Sequence, residues 1–413
     1  MTGDEKVLSK VPRLRFSEFS GSWGKHTVGS LTSLITYGLT VRPSFVECGV
    51  PLISAREIRT GVVELAAAPM IDRKDFDTLS SKAKPKKGDI FLSKTGSIGF
   101  VAEFTSEVDA AISQNIALLR FSSVNTDFIL QYLNTRIFQT AALSKVNKST
   151  IMDLQLRDIA KLNIWMPSSE GEISLIATFL STVDKKISLL KQKHEQLVQY
   201  KKGIMQQLFS QQLRFKDDNG QDFPDWEVKH LSELADKVTK KNADDAVKSV
   251  LTNSAKHGIV NQLDYFDKDI ANENNLTNYG VVEKDDFVYN PRISVHAPVG
   301  PIKRNHIGKG VMSPLYTVFR FKEPDLFDFL EIFFRTTLWH RYMNSIANFG
   351  ARHDRMNITS GDFFALPIKV PCEEERIKLV DFVKSVDQKI NLAQQQIEQT
   401  QTYKQGLLQQ MFV

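Results

Sequence analysis

The feature that most constrains this chain is a long-range internal repeat. Residues 176–209 align without a gap on residues 379–412 at an offset of 203, and 15 of the 34 positions are identical. Unrelated segments of ordinary composition share about two. Val183-Asp184 recurs as Val386-Asp387, Tyr200-Lys201 as Tyr403-Lys404, Gly203 as Gly406 and Gln206-Gln207 as Gln409-Gln410. Fainter echoes run ahead of each copy. Leu14-Arg15-Phe16 returns as Leu213-Arg214-Phe215, Trp23 as Trp226, Leu31 as Leu234, Arg120-Phe121 as Arg320-Phe321, and Ile164 with Pro167 as Ile368 with Pro371. A duplicated unit dictates a duplicated architecture. Each half is a divergent segment of about 160 residues followed by a well-matched segment of about 40. The boundaries read as 1–167, 168–210, 211–371 and 372–413. Divergent parts read different things, and matched parts share one task.

The matched parts carry helical periodicity. In the first copy Ile176, Leu180, Val183, Ile187, Leu190, His194, Leu197, Lys201, Ile204 and Leu208 follow one another in steps of three and four. The second copy continues the pattern through Leu379, Val383, Val386, Ile390, Ala393, Ile397, Thr400, Lys404, Leu407 and Met411. A seam alternating three and four over five heptads is a coiled-coil seam. Thirty-six residues of helix span roughly 54 Å. The natural cover for each seam is its own copy, and a pseudo-twofold axis crossing the seams makes the pair antiparallel. His194 reads as a packing residue or a polar register pin, not a ligand.

The divergent parts read as mixed α/β. Strand-like runs lie at 50–54, 88–93, 116–121, 162–166, 287–289, 316–321 and 365–370, with helical stretches at 127–142 and 325–347. The expected fold is therefore two α/β domains joined by two long helices in an antiparallel coiled coil. Three loops per domain carry side chains suited to nucleic acid. The first loop, 36–43, holds Tyr37, Thr40 and Arg42. The second, 93–99, holds Lys94, Thr95 and Ser97, and its counterpart 290–299 holds Arg292, Ser294 and His296. The third, 145–150, holds Lys145, Asn147, Lys148 and Ser149, and its counterpart 348–357 holds Asn348, Arg352, His353, Arg355 and Asn357. Such residues reach base edges and phosphates. Lys82, Lys84, Lys86 and Lys87 form a further basic run.

No catalytic constellation emerges. Pro224-Asp225-Trp226-Glu227-Val228-Lys229 places a PD beside an ExK, but one residue between the acids does not suit a magnesium pair. The glycines at 93–99 and at Gly308-Lys309-Gly310 lack the spacing of phosphate-binding turns. The eight histidines and two cysteines show no metal-ligand spacing. No apolar run reaches membrane-spanning length, and no secretory leader is read at the N-terminus. A net charge of +5 permits a nucleic-acid partner.

The Trp226-Glu227-Val228 start, Gly88-Asp89-Ile90-Phe91-Leu92-Ser93, the 164–167 close and, above all, Val183-Asp184-Lys185-Lys186-Ile187 with 200–209 resemble the specificity subunits of type I restriction–modification systems. The resemblance extends over nearly the whole chain and includes the duplication. It implies two target recognition domains, each reading one half of a bipartite, asymmetric site in double-stranded DNA. It implies helices that set the spacer and dock two modification subunits, with restriction subunits joining them. It implies no catalysis here, S-adenosylmethionine, ATP and Mg²⁺ on the partners, and a prokaryotic cytoplasmic setting. Half-sites on one DNA face lie roughly 34–36 Å apart, within reach of such helices. Two other readings stay open: a coiled-coil scaffold with protein-binding ends, which would bind DNA weakly and without sequence preference, and a stand-alone enzyme, which would turn over alone.

Overall fold

The tryptophans that mark the start of each repeat lie beside strands whose partners close the same variable segment. Gly24–Thr27 pairs antiparallel with Asn163–Met166, and Glu227–His230 with Pro367–Val370. Pro167 and Pro371 follow the closing strands, where their missing N–H costs no ladder bond. Both ends of each variable segment are thus brought together before the chain enters a long helix. The structure, a computed structural model, describes residues 10–147, 152–262, 276–348 and 354–413. It forms two compact units, Met1–Lys193 with Ala393–Val413, and His194–Leu392.

Each unit is built on a four-stranded antiparallel sheet of the same order. In the first it runs Thr32–Tyr37, Ile116–Phe121, Ile90–Ser93, Val101–Glu103. In the second it runs Ala235–Lys237, Thr317–Phe321, Phe287–Tyr289, Ile302–Arg304. The repeated Arg-Phe dipeptide has a structural cause. Arg120 grips Asp89 through two 2.7 Å bonds, and Arg320 grips Asp286 at 2.6 and 3.0 Å. Both carboxylates are buried, so each needs its guanidinium fork. The smaller sheets differ between units. The first has Phe45–Val46, Met70–Ile71, Val50–Ile53 and Ala111–Ile112 in one sheet, and the second has two separate two-stranded pairs, Leu251–Ser254 with Gly258–Asn261 and Gly280–Val282 with Gly310–Met312.

The long helices are Glu170–Phe209 and Glu373–Met411. They begin slightly before the apolar period does, because their first turns are acidic and suit the positive end of a helix. Glu172 and Glu375 in those turns are buried and clamped by Arg15 and Arg214, the centres of the repeated Leu-Arg-Phe. Trp226 Nε1 also donates to Glu375, at 2.9 Å.

Within each unit the start of one helix meets the end of the other, so the pairing is antiparallel. In the first unit Ile173, Ile176, Leu180, Val183 and Ile187 share a core with Leu407, Leu408, Met411 and Phe412. In the second, Leu379, Val380 and Val383 share a core with Met205, Leu208 and Phe209. Of the seam residues, Leu180, Val183, Ile187, Val383, Val386, Ile397 and Leu407 are buried, and Leu190, Leu197, Ile204 and Ile390 half-buried. Each globular core is therefore completed by the other copy's helix end. Trp23 packs on Phe412 at 6.0 Å between centroids, and Trp226 on Phe209 at 6.1 Å.

Two expected helices are divided. The stretch at 127–142 is Thr126–Leu133 and Arg136–Ser144, because Thr135 caps the second piece through a bond from Phe138 N. The stretch at 325–347 is a 3₁₀ turn at Pro324–Leu326 with helices Phe327–Phe333 and His340–Ile346. Ile332, Phe333 and Phe334 are all buried, and three consecutive buried residues do not fit one face of a single helix.

Candidate nucleic-acid interface

In the first unit the three expected loops converge on one patch. The first leaves the strand Thr32–Tyr37 through Gly38, where a Cβ would lie 1.6 Å from the Ile112 carbonyl oxygen. Only glycine lets that backbone approach so closely. Leu39 N then donates to Ile112 O at 2.8 Å. Tyr37, Thr40 and Arg42 are exposed. The second loop leaves Ile90–Ser93 and turns back at Gly99, whose φ is +102°. The chain just beyond the third, at 152–154, is stitched to it by backbone bonds, Gly96 N to Met152 O at 3.0 Å and Leu154 N to Lys94 O at 2.7 Å.

Asp153 is the junction. Its Oδ1 accepts from Lys94 Nζ at 2.7 Å and from Thr95 Oγ1 at 2.6 Å, while its backbone pairs with Asn147. Partial burial works against its ionisation, but the bonds from Lys94 and Thr95 and the lysine's charge prevail and hold the carboxyl below the usual range. Lys94 and Thr95 are thus occupied in positioning the loops. Ser97, Lys145 and Asn147 are exposed. Lys148 and Ser149 lie outside the described residues.

Two clefts open on this patch. One, of 490 Å³, is lined by Thr40, Arg42, Thr95, Gly96, Gln114 and Asn115 among others. The other, of 450 Å³, is lined by Tyr37, Thr40, Lys94, Gln114, Asp153 and Arg157 among others. Gln114 and Thr40 border both. Sequence reading passed over Gln114, Asn115 and Arg157. The available signal was position: Ser113-Gln114-Asn115 immediately precedes the strand Ile116–Phe121, as Ser313-Pro314-Leu315 precedes the matching strand region. The lysine run is partly structural, with Lys84 4.2 Å above the Phe76 ring and Lys87 3.0 Å from Glu107.

The second unit repeats the stitching with different side chains. Arg292 pairs with Arg355, and Asn348 with Asn357, across short antiparallel bridges. Met356 N donates to Pro291 O and Ile293 N to Asp354 O, both at 3.0 Å. Asn290, which anchors the loop, is buried and donates to Asn253 O at 2.9 Å. Arg292, Ser294, His296, Asn348 and Asn357 are exposed, and Arg355 is half-buried. Arg352 and His353 lie outside the described residues.

Residues 49–199 match the family model of the type I restriction modification DNA specificity domain. A putative type I restriction enzyme MjaX specificity subunit from Methanocaldococcus jannaschii is 25% identical over 429 residues, which cover 96% of this chain and 94% of that protein. The type I restriction–modification S subunit from M. genitalium superposes with a TM-score of 0.53 at 15% identity, over 98% of this chain and 99% of its own. A chain from a structure addressing complex assembly and conformational transition of the type I restriction–modification system gives 0.54 at 12%, over 94% and 96%.

Proposed function

The chain belongs to the type I restriction–modification DNA specificity family, and from that premise we propose that each domain reads one half of a bipartite, asymmetric duplex DNA site. The observation that carries this reading is the twice-built scaffold. Both units present two stitched loops beyond the end of the same interior strand of the same sheet, yet Lys94, Thr95 and Asp153 stand in one where Arg292 and Arg355 stand in the other. A common frame with different side chains suits two different half-sites. The helices, 40 and 39 residues long, set the spacer between them. Catalysis, S-adenosylmethionine, ATP and Mg²⁺ belong to partner subunits in a prokaryotic cytoplasm. No described helix is long and apolar enough to cross a membrane.

The helices also support docking of two copies of one modification subunit, with restriction subunits joining that core. Comparing the copies position by position, three of the nine seam positions from 180 to 208 are identical. Of the nine positions immediately before them, 179 to 207, seven are identical. Packing within the chain would preserve the seam. Instead the flanking stripe is preserved, and most of it is exposed: Leu189 and Leu392 are each 55% exposed, Tyr200 51% and Tyr403 56%. Gly203 and Gly406 belong to the stripe, and a Cβ at either would meet open space. A mid-helix glycine costs about 0.5–1 kcal/mol relative to alanine. A partner's close approach gives both glycines a purpose.

Selection from a random duplex library by the complex with its modification subunit tests the reading. A two-part motif with a constant gap supports it. Salt-dependent retention with no enriched motif supports the scaffold alternative instead.

A further inference from the structure

We propose that Arg292 and Arg355 form a paired-guanidinium site that reads a guanine in the half-site of the second domain. The inference rests on the proposed DNA-reading function and adds to it the chemistry of one recognised base.

The two residues sit directly opposite each other in an antiparallel bridge. Opposite residues in such a pair place their Cβ atoms about 4.5–5.5 Å apart on one face, and like charges there are unfavourable. The surrounding fold holds them there nonetheless. The backbone bonds Ile293 N to Asp354 O and Met356 N to Pro291 O flank the bridge on both sides. Arg292 N donates to Asn290 Oδ1 at 3.0 Å, which fixes the loop at its buried end. Neighbouring Val295 is 95% exposed, so the loop projects outward.

Among the described residues the two guanidiniums face a single carboxylate. The ion-pair partner of Arg355 is Asp354, at 3.7 Å from Nε, beyond hydrogen-bond reach. Among the described residues, the buried Arg355 Nε has no hydrogen-bond partner. A buried donor without an acceptor is costly and calls for an explanation. The same place in the first domain shows the contrast. There Thr95 faces Asp153, and Lys94 completes a neutral, hydrogen-bonded set. One scaffold is internally satisfied, and in the other, among the described residues, two forks share one carboxylate that lies beyond hydrogen-bond reach.

A guanidinium fork matches two parallel acceptors. In duplex DNA these are guanine O6 and N7 in the major groove, or two phosphate oxygens. Under the proposed function, guanine is the source that fits a projecting loop; phosphate contact would give no discrimination.

The test uses the full complex with its modification subunit. Affinity is measured for duplexes in which each base pair of the selected motif is changed in turn, for the wild type and for Arg292→Gln, Arg355→Gln and Arg355→Lys. Thermal unfolding confirms that each variant is folded. We expect a required guanine in one half-site. Each glutamine variant should lose roughly 5- to 150-fold of the discrimination at that position. Discrimination in the other half-site should be unchanged. Arg355→Lys, which keeps the charge but not the fork, should lose it too. A uniform loss across all sequences with a shallower salt dependence would assign the pair to phosphate and overturn the proposal, as would a motif with no guanine in either half-site. Failure of the wild-type complex to select any motif would overturn the DNA-reading function, and this inference with it.

Discussion

Lys404 Nζ lies 2.6 Å from Asp184 Oδ1, and the equivalent residues of the other copies, Lys201 and Asp387, meet at 2.5 Å. In one unit the first copy supplies the acid and the second the base, and in the other the roles are exchanged. This exchange is what a self-complementary pairing of two repeat copies requires. It also explains why lysines persist at seam positions that periodicity alone would fill with apolar residues. Asp184 further accepts from Gln131 Nε2, and Asp387 from Arg335, so each pair ties the helices to its own globular domain.

Reversing one charge should therefore weaken one unit only. Lys404→Asp should destabilise the first unit, and Asp184→Lys with Lys404→Asp should recover part of the loss. A double-mutant cycle on urea unfolding should give a coupling of about 0.2–1 kcal/mol, the range measured for exposed pairs. Zero coupling would mean that the pair does not contribute.

The exchange of helix ends makes each domain depend on the distant copy. Phe412 touches Trp23, Phe128 and Tyr132. Phe412→Ala should cost about 3–5 kcal/mol in the first unit, lowering its melting temperature by on the order of 10 °C. Phe209→Ala should do the same to the second, where it packs on Trp226, Phe329 and Phe333. Site-resolved hydrogen exchange distinguishes the units; equal loss of protection in both after either change would contradict this arrangement.

Asp153 sets a pH dependence whose sign is fixed. Its folded pKa lies below the ordinary value, so its contribution is present above the usual carboxylate range and is lost as pH falls through the folded value. Protection of the Gly96 and Leu154 amides, corrected for intrinsic exchange, should stay constant from pH 7 to about 4.5. Asp153→Asn should lower that protection at pH 7 and impair reading of one half-site. Loss of protection between pH 6 and 5 in the wild type would show that another group holds the loops.

The preserved stripe predicts stoichiometry. Tyr200→Glu or Tyr403→Glu alone should leave one modification subunit bound, and the pair together should leave none, as read by native mass. Two subunits retained by the double variant would place docking elsewhere.

The repeat made the architecture legible because identity at 183–187 and 200–209 survives divergence elsewhere. The echoes at Arg15, Arg120, Arg214 and Arg320 were visible as repeats, but their reason was not. Their partners Glu172, Asp89, Glu375 and Asp286 lie 31 to 161 residues away and are chosen by tertiary packing. The opposition of Arg292 and Arg355 depends on the register of a bridge across more than sixty residues, which no local pattern encodes. Gln114 was missed because a lone glutamine between a serine and an asparagine looks like any turn. Only the meeting of Gly38 with Ile112 brings the first loop beside it. The helix breaks at Thr135 and Phe334 were hidden for a different reason: the apolar residues on either side continue a helical period, and capping and aromatic burial end it.

The central claim is that this chain gives a methylating complex its two-part sequence preference. Co-expression with the candidate modification subunit, followed by modification-sensitive sequencing of the host DNA, tests it most directly. The account predicts methylation at a split motif with a fixed spacer, absent when this chain is omitted. A soluble, co-purifying complex that leaves the DNA unmethylated, or methylates it without a split motif, would contradict it.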